Sequence, residues 1–178
     1  MNTKFRNCLS TLNFQKILLL LFLSLFLAPP FHLYAQENQD KPIEGKTVVM
    51  FDNSITNQRN WNKVLECEDV INYGITGYLT SQLIWTIKNV LKKYPDTKIW
   101  FLEGGINDIS LGIQVNKIFE NYKTTIDLLH RKKIIPVAQS TILQNRSKQA
   151  NKRFNKLNKK VKEYIKYLDL NLFLSVYG

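Results

Sequence analysis

Thr47-Val48-Val49-Met50-Phe51-Asp52-Asn53-Ser54-Ile55-Thr56 decides how this chain is to be read. A short run of apolar, β-prone residues passes straight into a polar turn that carries a serine. An unbroken apolar run of this length, bounded by turn residues, reads as a strand buried on both faces. In open parallel sheets, ligands and chemistry gather just beyond the carboxyl ends of such strands. Ser54 therefore stands where a nucleophile would stand, and the rest of the chain must supply what a nucleophilic serine needs.

The pattern repeats downstream. Trp61 to Leu65 reads as a short helix, and Asp69 to Asn72 as a second short strand leading into the glycine-punctuated turn Tyr73 to Gly77. Leu83, Ile84, Ile87, Val90, Leu91 and Tyr94 trace one face of a helix that Pro95 ends, because proline cannot continue the hydrogen-bond ladder. Lys98 to Leu102 is a third strand, with Glu103-Gly104-Gly105-Ile106-Asn107-Asp108 as the turn beyond it. Ile118, Phe119, Tyr122, Ile126 and Leu129 mark another helix, and Ile134 to Ala138 a fourth strand with Ser140 and Thr141 at its exit. Tyr167-Leu168-Asp169-Leu170 reads as a fifth strand. Strand and helix alternate with connections long enough for crossovers, so the expectation is a mainly parallel sheet of about five strands between two helical layers. The glycine- and asparagine-rich turns all follow strands, which gathers them on one edge of the sheet.

The remaining features bound the setting. Lys4, Arg6 and Lys16 precede an almost continuous apolar run from Ile17 to Leu27, and Ala35 offers a small residue before Gln36. That is the layout of a secretory signal peptide over residues 1–35. Pro29-Pro30 stop the run short of the roughly 20 apolar residues a spanning helix needs, so no retained transmembrane segment is expected. Residues 36–46 read as a flexible polar lead-in, and 47–178 as the single domain, periplasmic or extracellular. Cleavage removes Cys8 and His32, which leaves Cys67 as a small packed residue without an internal disulfide partner, and His130 as the last histidine. The formal charge of +11 is concentrated late, in Arg146, Lys148, Lys152, Arg153, Lys156, Lys159, Lys160, Lys162 and Lys166. Because Ala150, Phe154, Leu157, Val161, Tyr164 and Ile165 recur at steps of three and four, this segment reads as an amphipathic helix with a solvated lysine face, and no nucleic-acid partner is expected.

Asp52-Asn53-Ser54-Ile55-Thr56, Asn72 to Gly77 and Gly105-Ile106-Asn107-Asp108, in this order and spacing, resemble the first three sequence blocks of the SGNH, or GDSL-type, hydrolases. The resemblance implies a flavodoxin-like three-layer α/β/α fold. It implies Ser54 as nucleophile, and Gly77 (backbone N–H) and Asn107 (side-chain amide) as oxyanion-hole donors. It implies ester hydrolysis, often of acetyl groups on carbohydrates or lipids, with no cofactor and no metal. The chemistry agrees: acyl transfer passes through a tetrahedral oxyanion that pre-aimed N–H donors stabilise.

Two departures stand out. The family's Gly-Asp before the serine is Asp52-Asn53 here, which sets a carboxylate two residues from the nucleophile. Such a charge raises a hydroxyl's pKa and repels an oxyanion unless Asp52 points away. The family's last block, an Asp-X-X-His that supplies the general base, finds no match before Gly178, so the domain reads as C-terminally truncated. His130 precedes the fourth strand and so belongs to the opposite sheet edge, about 17 Å away along a five-residue strand, against the roughly 3 Å a base needs. No general base is found. The expectation is an exported ester hydrolase domain of impaired activity; the alternative is a non-catalytic module that binds acylated sugars.

Overall fold

The computed structural model describes residues 45–141, 147–168, 170 and 173–174. The leader read in residues 1–35, and the lead-in up to residue 44, lie outside them. In chain order the elements are β1 (Val48–Asp52), α1 (Ser54–Asn57), α2 (Trp61–Val64), β2 (Val70–Gly74), α3 (Thr80–Lys93), β3 (Ile99–Leu102), α4 (Ile106–Ser110), α5 (Val115–Arg131), β4 (Ile135–Gln139), α6 (Lys148–Tyr167) and β5 (Phe173–Leu174).

The sheet runs β2-β1-β3-β4-β5 with every neighbouring pair parallel, the strand order of the flavodoxin-like doubly wound fold. β1 lies between two partners, and all five of its residues are buried. Its alternating side chains feed two cores. Val49 and Phe51 join Trp100 and Leu102 on one face; Val48 and Met50 join Ile99 and Phe101 on the other. The first core takes the apolar stripes of all three long helices, represented by Ile87 of α3, Ile118 and Ile126 of α5, and Phe154 and Leu157 of α6. The second is covered, among the described residues, by Trp61 and Val64 of α2 and by Leu65 and Cys67 after it. The three layers are thus unequal, one thick and one thin.

The basic segment folds as expected. Phe154, Leu157, Val161 and Ile165 of α6 are buried, while Lys152, Lys156, Lys159, Lys162 and Lys166 face solvent. The fifth strand does not lie where the sequence put it. α6 continues through Tyr167, because the apolar step that places Val161 and Ile165 on the core keeps the backbone helical, and the Leu168 amide still donates to the Tyr164 carbonyl. Tyr167 is 81% exposed, the opposite of a buried strand residue. The strand follows as Phe173–Leu174, paired with Ala138 and Gln139 of β4.

Cys67 is buried, as expected. Among the described residues no helix is long and apolar enough to cross a membrane.

Candidate active site

Three connections leave the carboxyl ends of β2, β1 and β3, neighbours in the sheet, and hydrogen bonds stitch them together. The β1 connection is shorter than the sequence implied: Asp52 still belongs to β1, and Asn53 alone joins the strand to α1. Asn53 caps that helix, its Oδ1 accepting from the Ile55 amide at 3.0 Å, the usual service of an asparagine at this position. Ser54 is the first residue of α1 and half-buried. Among the described residues no side chain hydrogen-bonds to its hydroxyl.

The β2 connection is pressed onto α1. The Ile75 amide donates to the Asp52 carbonyl at 3.0 Å, and Asn57 Nδ2 donates to Thr76 Oγ1 at 3.3 Å. Asn72 Nδ2 reaches the carbonyls of Thr56, Asn57 and Arg59 at 3.1, 3.3 and 2.8 Å, which holds α1 against β2. Gly74 makes this approach possible, because a Cβ there would fall 2.3 Å from the Asn57 nitrogen. Gly77 has φ +79°, the left-handed region glycine adopts freely, with no atom within 4 Å of where its Cβ would be. A side chain there would therefore meet open space rather than protein.

The β3 connection closes on the Gly77 turn. Asn107, half-buried in α4, donates from Nδ2 to the Tyr78 carbonyl at 2.9 Å. An amide nitrogen carries two hydrogens, so this bond anchors the side chain and leaves a second donor. Next to it, fully buried Asp108 accepts from the Thr80 amide at 3.0 Å and the Thr80 hydroxyl at 2.7 Å, and Asn121 Nδ2 donates to that same hydroxyl at 2.8 Å. Asp108, set by sequence near the right edge, is thereby a brace between α4, α3 and α5. Gly105 starts α4 at φ +93°; a Cβ there would lie 2.7 Å from Leu157 Cδ2 of α6.

Ser54, Gly77 and Asn107 thus stand on directly bonded connections. His130 does not join them: it is exposed in the last turn of α5, ahead of β4, on the amino edge. Asp52 takes the harmless of its two options, since its carboxyl is buried and Oδ2 accepts from the Thr56 hydroxyl at 2.9 Å. Burial pushes its pKa up. Glu103 lies across from it, its pKa raised well above the ordinary carboxylate value by burial and then by the Asp52 charge. Sequence reasoning gave Glu103 no role, and missed Thr80 and Asn121. The legible signals were an acidic residue directly after a four-residue apolar strand, and an asparagine one turn on from Ile118, on the buried face of α5.

The family described as GDSL-like lipase/acylhydrolase matches residues 51–175, most of the chain. The chain belongs to the GDSL-like lipase/acylhydrolase family. A GDSL-like lipase from Bacteroides thetaiotaomicron is similar in structure, with TM-score 0.61 and 20% identity over 73% of this chain and 68% of that one. A member of the lipolytic G-D-S-L family from Veillonella parvula gives TM-score 0.60 and 20% identity over 72% and 75%. The psychrotrophic esterase EstA from Pseudoalteromonas, solved with monoethylphosphonate as inhibitor, gives 0.58 and 16% over 73% and 76%. No curated protein sequence matches significantly. At these identities the solved GDSL relatives speak for the fold.

Proposed function

We propose that this GDSL-family domain binds and slowly hydrolyses acyl esters, with acetyl esters of carbohydrates or lipids as the substrate class. Ser54 Oγ attacks the ester carbonyl carbon as its proton passes to water, and the oxygen that gains charge is met by the Gly77 N–H and the free hydrogen of Asn107 Nδ2. The ester C–O bond then breaks to release the alcohol, and water hydrolyses the acyl-serine to free the acid. The observation that carries this reading is the Asn107–Tyr78 bond, which fixes a neutral amide donor against the Gly77 turn. Export by the leader read in residues 1–35 sets that substrate in the periplasm or outside the cell.

The slow step is proton removal. His130 belongs to the far sheet edge, and among the described residues no base contacts the Ser54 hydroxyl. Binding and oxyanion stabilisation alone leave roughly 10³- to 10⁴-fold acceleration over water in triad enzymes stripped of a member.

Hydrolysis of p-nitrophenyl acetate by the wild type, S54A and N107A tests the assignment. S54A is expected at the uncatalysed rate, and N107A about 10²- to 10³-fold below wild type in kcat. Equal rates for wild type and S54A, both above background, overturn Ser54 as nucleophile.

The unpartnered hydroxyl also favours a second reading, a non-catalytic module for acylated sugars on the same fold. It predicts saturable calorimetric binding of an acetylated sugar with no turnover; absence of both binding and Ser54-dependent turnover removes both readings.

A further inference from the structure

The carboxyls of Asp52 and Glu103 stand at adjacent positions on paired strands, one step beyond the Phe51–Leu102 register. Paired positions on neighbouring strands share a face of the sheet, so the two side chains lie side by side. Both are buried, at 3% and 6% exposure. Their four oxygens divide evenly. Asp52 Oδ2 accepts from the Thr56 hydroxyl, and Glu103 Oε2 accepts from Asn53 Nδ2 at 3.3 Å. Asp52 Oδ1 and Glu103 Oε1 are buried without a hydrogen-bond partner, although the backbone amides of Asn53 and Gly104 act on the two carboxyls. Two buried carboxylate oxygens without a partner are costly, and two buried like charges side by side more so. One proton between the orphaned oxygens satisfies both and leaves a single charge.

We propose that Asp52 and Glu103 share one proton and together act as a positioning pair for Ser54, Glu103 orienting the Asn53 side chain that caps the nucleophile's helix. The path is short: Glu103 Oε2 holds Asn53 Nδ2, and Asn53 Oδ1 holds the Ile55 amide in the first turn of α1. Turning the Asn53 amide would exchange its Oδ1 for an N–H that Ile55 cannot use. Glu103 therefore fixes which way round the cap sits. The other titratable groups close by are the Tyr122 phenol of α5, which donates to the Gly104 carbonyl at 3.2 Å, and, acting on that phenol, Asp108 of α4. Neither brings a positive charge to replace the shared proton.

The catalytic half of the test rests on the esterase reading; the spectroscopic half does not. A shared proton gives a distinctive pattern across amide substitutions. In E103Q the new NH₂ donates to Asp52 Oδ1 while the remaining oxygen still accepts from Asn53; D52N mirrors this. Each single variant is expected within about threefold of wild-type kcat on p-nitrophenyl acetate at neutral pH. The double variant D52N/E103Q sets two NH₂ groups face to face and is expected to lose at least tenfold in kcat and several degrees in Tm. Wild type is expected to lose kcat at alkaline pH as the shared proton leaves, and E103Q to lack that limb. Difference infrared spectra at neutral pH are expected to show a protonated-carboxyl C=O band in wild type and S54A that both single variants lack. A wild type without that band, or a double variant as stable and active as the singles, overturns the pair. S54A as active as wild type overturns the esterase reading while leaving the infrared result to decide the pair.

Discussion

Gly74 and Gly77 sit three residues apart in one connection and answer to different constraints. A Cβ at Gly74 would stand 2.3 Å from the Asn57 nitrogen and 2.8 Å from the Asn53 carbonyl oxygen, so Gly74→Ala must push α1, and Ser54 with it, away from β2. At Gly77 only the positive φ resists a side chain, because the space is open. Forced overpacking costs typically about 1–3 kcal/mol, whereas a left-handed alanine costs roughly 1–2 kcal/mol. In urea denaturation Gly74→Ala is expected to be the more destabilising, and to lose Ser54-dependent turnover; the reverse order would contradict the packing account. At this scale the placement of Ser54, Gly77 and Asn107 beyond the carboxyl ends of β1, β2 and β3 was readable, because each follows its own strand in the chain. Gly74 was not readable, since its need arises from a helix it touches only after folding. Nor was the fate of Asp52, whose carboxyl is buried beside Glu103, the residue that follows another strand.

Among the elements, α6 does more than cover the sheet. Arg153 reaches from it to donate to the Ile109 carbonyl at 2.9 Å and to the Ile113 carbonyl, which ties down the loop that follows Asn107. Arg153→Met keeps the alkyl stem but leaves both carbonyls without this donor, an expected loss of about 1–3 kcal/mol. Hydrogen exchange is expected to speed up at the amides of residues 109–113, with those of the middle of α3 unchanged; equal protection in both proteins would show that Arg153 does not brace the loop. The apolar steps of three and four announced α6 and its lysine face, since burial of one stripe is a local periodic property. Its end was misread. Tyr167-Leu168-Asp169-Leu170 has strand-like composition, but a helix already packed by Val161 and Ile165 overrides a weak β preference.

For the molecule as a whole, the buried acid pair makes stability depend on pH. The folded-state pKa of Glu103 lies well above its ordinary value of 4.5, so the folded chain holds a proton that the unfolded chain releases. The contribution is therefore complete below the unfolded value and is lost as pH rises through the folded one. Each unit of separation is worth about 1.4 kcal/mol. Denaturation of wild type and E103Q across acid to neutral pH is expected to show E103Q gaining on wild type as pH rises; a constant difference would mean that Glu103 does not titrate abnormally. The parallel sheet between helical layers was legible because alternation and crossover length permit little else, and its flavodoxin-like character came from the family resemblance, while the unequal layers depend on which helices face which side. The reach of Arg153 has a temporal side as well. Synthesis is vectorial, and this arginine is made 44 and 40 residues after the carbonyls it secures. The connection that carries Ser54 can settle as soon as β1, α1 and β2 have emerged, but the loop that follows Asn107 is secured only once α6 has been made.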